Sequence, residues 1–213
     1  MKIFLIGFNK CGTNTIHHYL LANNVRSVHW DQGRLAKRIF RNLAEGDDLL
    51  KGYESFDAFT DMEFLDAQGQ CYLEAYKLFP QLAQQYPDAV FILNTRDRED
   101  WIRSRLAHGN KPYARRQMSF YGASSEEELV AIWRKDWSRH HCRVMKFFAE
   151  GNYRFFVCPI DTDLPRCLTQ GLPDLRLDET RYKTLNRTGD RRRLQVSRLN
   201  ERARWALARL LTR

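Results

Sequence analysis

The first fifteen residues constrain the fold of this chain most, because they join an apolar run to a glycine-containing turn and then to a helical pattern. The apolar run at residues 3–6 predicts a buried strand, and the apolar spacing that begins at Ile16 predicts a helix. Between them, Gly7 and Gly12 allow the backbone to turn tightly around an anion. The first turn of a helix has unpaired N–H groups that attract anions. The stretch therefore predicts a strand, an anion-binding loop and a helix.

The side chains of this loop suit a phosphate or a sulfate. Lys10 supplies a positive charge, and Thr13 and Thr15 supply hydroxyls beside the helix N-terminus. In the P-loop of nucleotide triphosphatases, a lysine follows the second glycine directly. Here Lys10 comes two residues before Gly12, and Thr13 stands where that lysine would be. The loop therefore departs from the ATP-binding form, and a strand, turn and helix without a ligand remain the alternative.

Length and composition indicate one folded domain over residues 1–213. Hydrophobic residues make up 43% of the chain, which excludes a disordered protein. The five cysteines are odd in number and lack C-x-x-C spacing, so we expect reduced thiols and no metal site. The run at residues 3–6 is too short for a signal peptide or a membrane span. We therefore expect a cytoplasmic enzyme.

The positive charge of the chain is concentrated near its C-terminal end. The net charge is +9, and residues 191–213 hold eight Arg and one Glu, which amounts to +7 and leaves +2 for the rest. This distribution favours a local basic segment over a nucleic-acid-binding protein, so no nucleic-acid partner is expected. The spacing of leucines in 191–213 predicts a basic amphipathic helix, which either packs on the domain or binds an acidic partner or membrane surface.

Strand and helix patterns alternate along the chain. The continuous apolar run at residues 89–93 is typical of a strand buried in a parallel sheet. Weaker strand patterns lie at 25–30, 56–62 and 153–158. Helical patterns lie at 32–50 with a break at Gly46, at 71–86 with a kink at Pro80, at 99–107, and after a capping box at 125–128. The alternation predicts an α/β fold with a central, mainly parallel sheet flanked by helices.

The polar, basic and aromatic segment 109–122 predicts a loop, which either covers a bound substrate or is simply solvated. Ligands of parallel α/β sheets bind at the carboxyl ends of the strands. Four segments that follow predicted strands therefore share one expected site: the loop at 7–15, residues 29–31, residues 61–63 and residues 95–98.

A second motif supports the first and points to a family. Arg96 follows the strong strand, and Ser104 comes eight residues later. This spacing resembles the arginine and serine that hold the 3′-phosphate of 3′-phosphoadenosine 5′-phosphosulfate (PAPS) in sulfotransferases. The order Lys-x-Gly-Thr-x-Thr at residues 10–15 resembles their 5′-phosphosulfate loop. The chain thus resembles a small, bacterial-type, PAPS-dependent sulfotransferase with a P-loop-like fold.

The resemblance implies PAPS as donor, 3′-phosphoadenosine 5′-phosphate (PAP) as product, and no metal. It also implies a set of donor-binding residues: Lys10, Cys11, Gly12, Thr13, Asn14, Thr15, Arg96 and Ser104. The chain departs from the family at Asn14, where a Thr or Ser is usual. It also lacks a clear Arg-Lys-Gly segment to close the 3′-phosphate site, and the nearest basic loop is 183–188.

Lys10 would stabilise the leaving phosphate oxygen during in-line transfer. The acceptor also requires a general base, and three other residues are candidates for that role. Asp61 and Glu63 stand at the strand end where the cytosolic steroid and phenol sulfotransferases present Lys-Thr-His. We favour Asp61, then Glu63, with His29 as a further candidate; pairing of either carboxylate with a cation is the alternative.

The sequence therefore predicts a sulfotransferase that acts on a hydroxyl or amine of a small molecule, saccharide or lipid. Two other functions stay open. One is a P-loop kinase or another nucleotide-dependent phosphotransferase, and the other is a non-catalytic protein that binds through its basic C-terminal helix.

Overall fold

The computed structural model describes residues 1–108 and 112–185, and its centre is a parallel sheet of five strands. These strands are β1 Ile3–Leu5, β2 Ser27–His29, β3 Ala58–Thr60, β6 Val90–Thr95 and β7 Arg154–Pro159. Their spatial order is β2-β3-β1-β6-β7, and all neighbours pair in parallel. Two further strands, β4 Glu63–Leu65 and β5 Tyr72–Glu74, form an antiparallel hairpin. All these elements belong to one compact unit, residues 1–183.

Helices cover both faces of the sheet. In the described part of the chain they are α1 Thr13–Ala22, α2 Arg34–Glu45, α3 Phe79–Gln85, α4 Arg98–Leu106, α5 Pro112–Tyr121, α6 Glu126–Glu150 and α7 Leu164–Gly171. Side chains alternate along β1, so Ile3 and Leu5 pack with α1 and α7 on one face. Phe4 points to the other face, where it stacks between Phe59 and Phe91 at 5.2 Å from each ring and where α2, α3 and α6 pack. The predicted α/β architecture is confirmed.

The strand order places a crevice above the centre of the sheet. β1 pairs with β3 on one side and with β6 on the other, so that Phe4 lies opposite both Phe59 and Phe91. The chain leaves β1 towards the β2–β3 side and leaves β6 towards the β7 side. The carboxyl ends of β1 and β6 therefore flank a topological switch point, where ligands of open α/β sheets bind.

Local sequence signals explain several element ends. Gly46 has φ 70° and follows the last residue of α2, which confirms the predicted break. Ser125 caps α6 by accepting from the Glu128 N–H at 3.2 Å. The Glu128 carboxylate accepts from the Ser124 N–H at 2.8 Å, so the capping box reaches one residue further back than predicted. In the residues that the structure describes, no helix is both long enough and apolar enough to cross a membrane.

Two sequence predictions were wrong. The helix predicted over residues 71–86 is instead strand β5, a 3-10 turn and the short helix α3, in whose first turn Pro80 is accommodated without a kink. The loop predicted over residues 109–122 is helical over Pro112–Tyr121, because Tyr113, Ala114 and Gln117 form a buried face at helical spacing. Residues 109–111, the predicted C-terminal helix 191–213 and residues 186–188 of the basic loop lie outside the described residues.

Candidate active site

The loop between β1 and α1 is fixed to the neighbouring strand by one buried side chain. Asn94, in β6, accepts from the Gly7 N–H at 3.0 Å and donates to the Cys11 carbonyl at 2.8 Å. A Cβ atom at Gly7 would lie 1.9 Å from the Asn94 carbonyl oxygen, so only glycine fits there. Gly7 therefore allows the loop to pack closely against β6. Gly12, at φ 73°, forms the expected turn.

Helix α4 supports the same loop from a second direction. The Trp101 indole N–H donates to the Asn9 carbonyl at 3.0 Å, and the Arg105 Nε donates to the Asn9 side-chain oxygen at 3.1 Å. Between these anchors and Gly12, Lys10 adopts φ 65°, a left-handed conformation that is unfavourable for a lysine. The surrounding contacts thus hold Lys10 in a conformation that it would rarely adopt alone.

The N-terminus of α1 opens onto this loop. Gly12 is its N-cap and has no side chain with which to cap the helix, and the first turn contains no acidic residue. The partial positive charge of the helix end is therefore not compensated by its own first turn. Thr13 and Thr15 are buried and Asn14 is half-buried. Burial raises the pKa of the Cys11 thiol far above its usual range, so this side chain is a neutral packing group.

Two cationic residues meet at the loop, where the Arg96 side chain contacts the Lys10 backbone. Lys10 Nζ lies 3.4 Å from His108 Nδ1. Arg96 Nη1 donates to the Lys10 carbonyl at 3.3 Å, and Arg96 Nη2 lies 3.7 Å from Asp161 Oδ1. The Arg96 Nε is buried and has no hydrogen-bond partner among the described residues. Ser104 lies on α4, half-buried and next to Arg105. The structure thus brings Lys10 and Arg96 together and places Ser104 on the helix that anchors the loop.

Asp61 and His29 face each other at the carboxyl ends of β3 and β2. Asp61 Oδ2 lies 3.6 Å from His29 Nε2. On the other side of the ring, His29 Nδ1 lies 2.8 Å from the Thr60 hydroxyl, which donates its hydrogen to the Val28 carbonyl. The hydroxyl must therefore accept from Nδ1–H, which leaves the Nε2 lone pair of the neutral ring directed at Asp61.

The surroundings of this pair keep both groups uncharged at neutral pH. Burial, together with the charge of Glu63, raises the pKa of Asp61 to about 8, against the opposing charges of Lys10 and Arg105. Burial and two neighbouring histidines lower the pKa of His29 to about 4. About a fifth of each side chain is exposed, 19% for Asp61 and 21% for His29, so a substrate can reach them. Asp61 has φ 54°, a further strained residue at this edge of the sheet.

Glu63 has a different environment from Asp61. Its Oε1 accepts from Asn9 Nδ2 at 2.6 Å and from the Tyr113 hydroxyl at 3.1 Å, and its Oε2 accepts from the Tyr72 hydroxyl at 3.2 Å. Arg105 Nη2 lies 3.9 Å from Oε2. Burial raises the pKa of Glu63, while Arg105 and the two tyrosines act in the opposite direction. Both oxygens of this carboxylate are therefore engaged inside the protein.

The comparison with protein families agrees with this geometry. A family model described as a sulfotransferase domain matches residues 2–158, from β1 almost to the end of β7. The chain belongs to the sulfotransferase family. A search of curated proteins finds no match to the sequence. The matched region of this sulfotransferase contains the β1–α1 loop and, in addition, Asp61, Glu63, Arg96 and Ser104.

The candidate site of this sulfotransferase also contains a residue that the sequence analysis missed. Arg105 is fully buried, with its guanidinium carbon 4.8 Å from the ring centres of both Trp101 and Trp133. It donates to the Tyr72 and Tyr113 hydroxyls at 2.8 and 2.6 Å. Its position four residues after Trp101 was the available signal, because such residues share a helix face. Arg105 links the β1–α1 loop to the hairpin and to α5.

His108 is a second residue that the sequence analysis did not assign to the site. The sequence offered only a lone histidine beyond a predicted helix, yet its ring lies beside Lys10 and 5.2 Å from the Tyr113 ring. Asn94, which holds both ends of the loop, had no sequence signal beyond its place after an apolar run. Across the described residues, no group of three or more His, Cys, Asp and Glu side chains is arranged to hold a metal ion.

Proposed function

We propose that this sulfotransferase transfers a sulfuryl group from PAPS to a hydroxyl or amine of a small-molecule, saccharide or lipid acceptor. The observation that supports the proposal is the contact of the Arg96 guanidinium with the Lys10 carbonyl, in the loop that leads into the uncapped N-terminus of α1. Such a concentration of positive charge suits a donor with several phosphate and sulfate oxygens. The buried, unpartnered Arg96 Nε supplies one further donor for such a group.

Donor binding divides between two regions in this proposal. The backbone N–H groups at the start of α1 and the Lys10 ammonium hold the phosphosulfate. Arg96 and Ser104 hold the 3′-phosphate, with Arg96 contributing a planar set of donors that fits phosphate. Sulfuryl transfer resembles phosphoryl transfer, in which positioning and charge neutralisation dominate. Lys10 neutralises the charge that develops on the leaving phosphate oxygen.

Asp61 is the general base in this proposal. Its ionised carboxylate takes the proton from the acceptor hydroxyl while that oxygen forms its bond to sulfur. The bond between sulfur and the phosphate oxygen of the donor breaks, and PAP leaves with the electron pair. Glu63 is less suited to this role, since protein donors occupy both of its oxygens. His29, whose Nε2 lone pair faces Asp61, orients the carboxyl group.

Calorimetric titration with PAP and, separately, with ATP tests the donor site. We expect tight binding of PAP without magnesium and weak binding of ATP. Lys10→Met should abolish transfer from labelled PAPS and weaken PAP binding, while Lys135→Met, at an exposed lysine of α6, should change neither. Magnesium-dependent ATP binding with no response to PAP would instead indicate a nucleotide-dependent phosphotransferase.

A further inference from the structure

The outer face of α2 forms a basic groove. Arg34, Lys37, Arg38 and Arg41 are exposed and recur at the spacing of one helix face. With Asp31, Gly52 and Tyr53 they line a depression of about 410 Å³, here called the α2 groove. The opposite face of α2, which includes Leu35, Ala36 and Ile39, is buried in the core. The helix is therefore fixed by its apolar face and presents its cations outward.

Most of this charge has no counter-charge nearby. Arg34 pairs with Asp31 at 2.6 Å. Within residues 1–108 and 112–185, no carboxylate oxygen lies within 4.0 Å of the charged nitrogens of Lys37, Arg38 or Arg41. Because residues 1–190 carry a net charge of only +2, four cations on one helix are a local concentration. Like charges at this spacing repel one another, and a bound anion would relieve that repulsion.

The α2 groove adjoins the candidate active site. Asp31, in its wall, is two residues from His29, and two residues span at most about 7 Å. Lys37 lies over the Phe64 ring, 3.7 Å from its centre, so the groove borders the hairpin of β4 and β5. From Arg34 to Arg41 the helix advances by about 10 Å. Because His29 Nε2 lies 3.6 Å from Asp61 Oδ2, the end of the groove at Asp31 is close to the strand ends that carry both residues.

A strained turn builds the end of the α2 groove nearest the site. Trp30, Asp31 and Gln32 have φ of 55°, 47° and 55°, and Gly33 follows at 78°. Left-handed residues other than glycine each cost roughly 1–2 kcal/mol, and such strain clusters at functional sites. The turn holds Asp31 against the Tyr53 hydroxyl at 2.6 Å and leaves Trp30 46% exposed beside His29.

We propose that the α2 groove binds an acidic part of the acceptor, and that this acceptor is an acidic oligosaccharide. The inference rests on the proposed function and names its substrate class. Arginine side chains pair in bidentate fashion with carboxylate and sulfate groups. The exposed indole of Trp30, next to Asp31 in the chain, offers a flat apolar surface for a sugar ring. A small neutral acceptor would leave the exposed cations of the groove unused.

The matched variants R38Q/R41Q and K135Q/R139Q test this proposal. Each removes two exposed cations, the first pair from the α2 groove and the second from α6. The assay measures transfer from labelled PAPS to an unsulfated chondroitin hexasaccharide and to chitohexaose, a neutral oligosaccharide of the same length. We expect the unmodified enzyme to have a lower KM for the chondroitin hexasaccharide than for chitohexaose. The R38Q/R41Q variant should raise the KM for the chondroitin hexasaccharide about tenfold or more. The kcat value, the affinity for PAP and all parameters of K135Q/R139Q should stay within about twofold.

Direct calorimetry with the chondroitin hexasaccharide separates the two proposals. If the hexasaccharide binds and R38Q/R41Q weakens that binding, the groove proposal is supported. This holds even if PAP does not bind and the donor proposal fails. Tight PAP binding without binding of the hexasaccharide would overturn the groove proposal alone. The groove proposal would also be overturned if both double variants lost hexasaccharide affinity equally. The same holds if the protein bound RNA or phosphatidylserine vesicles more strongly than the hexasaccharide.

Discussion

Replacing Asp61 by asparagine should stabilise the folded protein at neutral pH and, at the same time, remove transfer activity. The folded protein raises the pKa of Asp61 from 3.8 to about 8, mainly through burial. The Oδ1 atom is buried and has no hydrogen-bond partner among the described residues, so ionisation leaves part of the charge unsupported. Asparagine keeps the shape of the side chain and cannot ionise.

The magnitude follows from proton linkage. Because the folded state holds this proton more tightly than the unfolded state, the stability contributed by the neutral carboxyl is fully present below about pH 4. It is lost as the pH rises towards 8, by up to about 1.4 kcal/mol per pH unit. Between pH 5 and pH 7 the upper limit is thus about 2.7 kcal/mol. The side chain is 19% exposed, so solvent weakens the effect. Between pH 5 and pH 7 we expect the stability advantage of D61N over the unmodified protein to grow by about half of that limit.

Urea unfolding of both proteins at pH 5 and pH 7 measures this difference. D57N is the control, since Asp57 pairs with Arg26 at 2.8 Å and its pKa is lowered, mainly by that hydrogen bond. Asp57 stays ionised in both states across this range, so the effect of D57N should not change with pH. A D61N advantage that fails to grow from pH 5 to pH 7 would refute the argument from burial.

The same pKa predicts the pH dependence of transfer. The ionised fraction of Asp61 rises from about a tenth at pH 7 to about nine tenths at pH 9, so kcat should rise nearly tenfold. D61N should lack this rise and lose about a hundredfold or more in kcat. A flat profile in the unmodified enzyme would assign the base elsewhere.

Three further substitutions probe the supports of the site. R105M should cost about 3–5 kcal/mol of unfolding free energy in urea, because it leaves Glu63 buried without its cation, and E63Q in the same chain should recover much of that loss. If the losses of unfolding free energy in R105M and E63Q simply added in the double variant, the pairing of Arg105 with Glu63 would be contradicted. N94A should cost about 2–4 kcal/mol and lower the affinity for PAP, because a buried Gly7 N–H and a carbonyl lose their partner; unchanged affinity would argue against this role. R96A should weaken binding of PAP more than binding of adenosine 5′-phosphosulfate, which lacks the 3′-phosphate, and equal losses would remove Arg96 from that role.

The parts of the fold that could be predicted were those with strong local signals. The apolar run at residues 89–93 became β6, and the glycine-containing turn after residues 3–6 became the β1–α1 loop. The hairpin of β4 and β5 was missed because the apolar residues from Tyr72 onward also fit the spacing of a helix. The stability of these strands comes from contacts with distant elements, which a short pattern does not reveal.

The missed residues of the site share a physical reason. Arg105 and Asn94 are polar side chains with no solvent exposure, and composition alone would assign both to the surface. Each is satisfied by partners far away in the chain, Asn94 by Gly7 and Cys11 and Arg105 by Asn9 and Tyr72. Long-range hydrogen bonding of this kind becomes visible only once the strands and helices are assembled.

The double anchoring of the β1–α1 loop by Asn94 has a thermodynamic consequence. A loop that is already held at both ends loses little conformational entropy when a ligand arrives, so more of the contact energy remains as affinity. Association should then be close to rigid-body docking, with a rate set by diffusion and by the attraction of the surrounding cations. Discrimination among nucleotides would reside in the fixed positions of Lys10 and Arg96, and not in a closing motion of the loop.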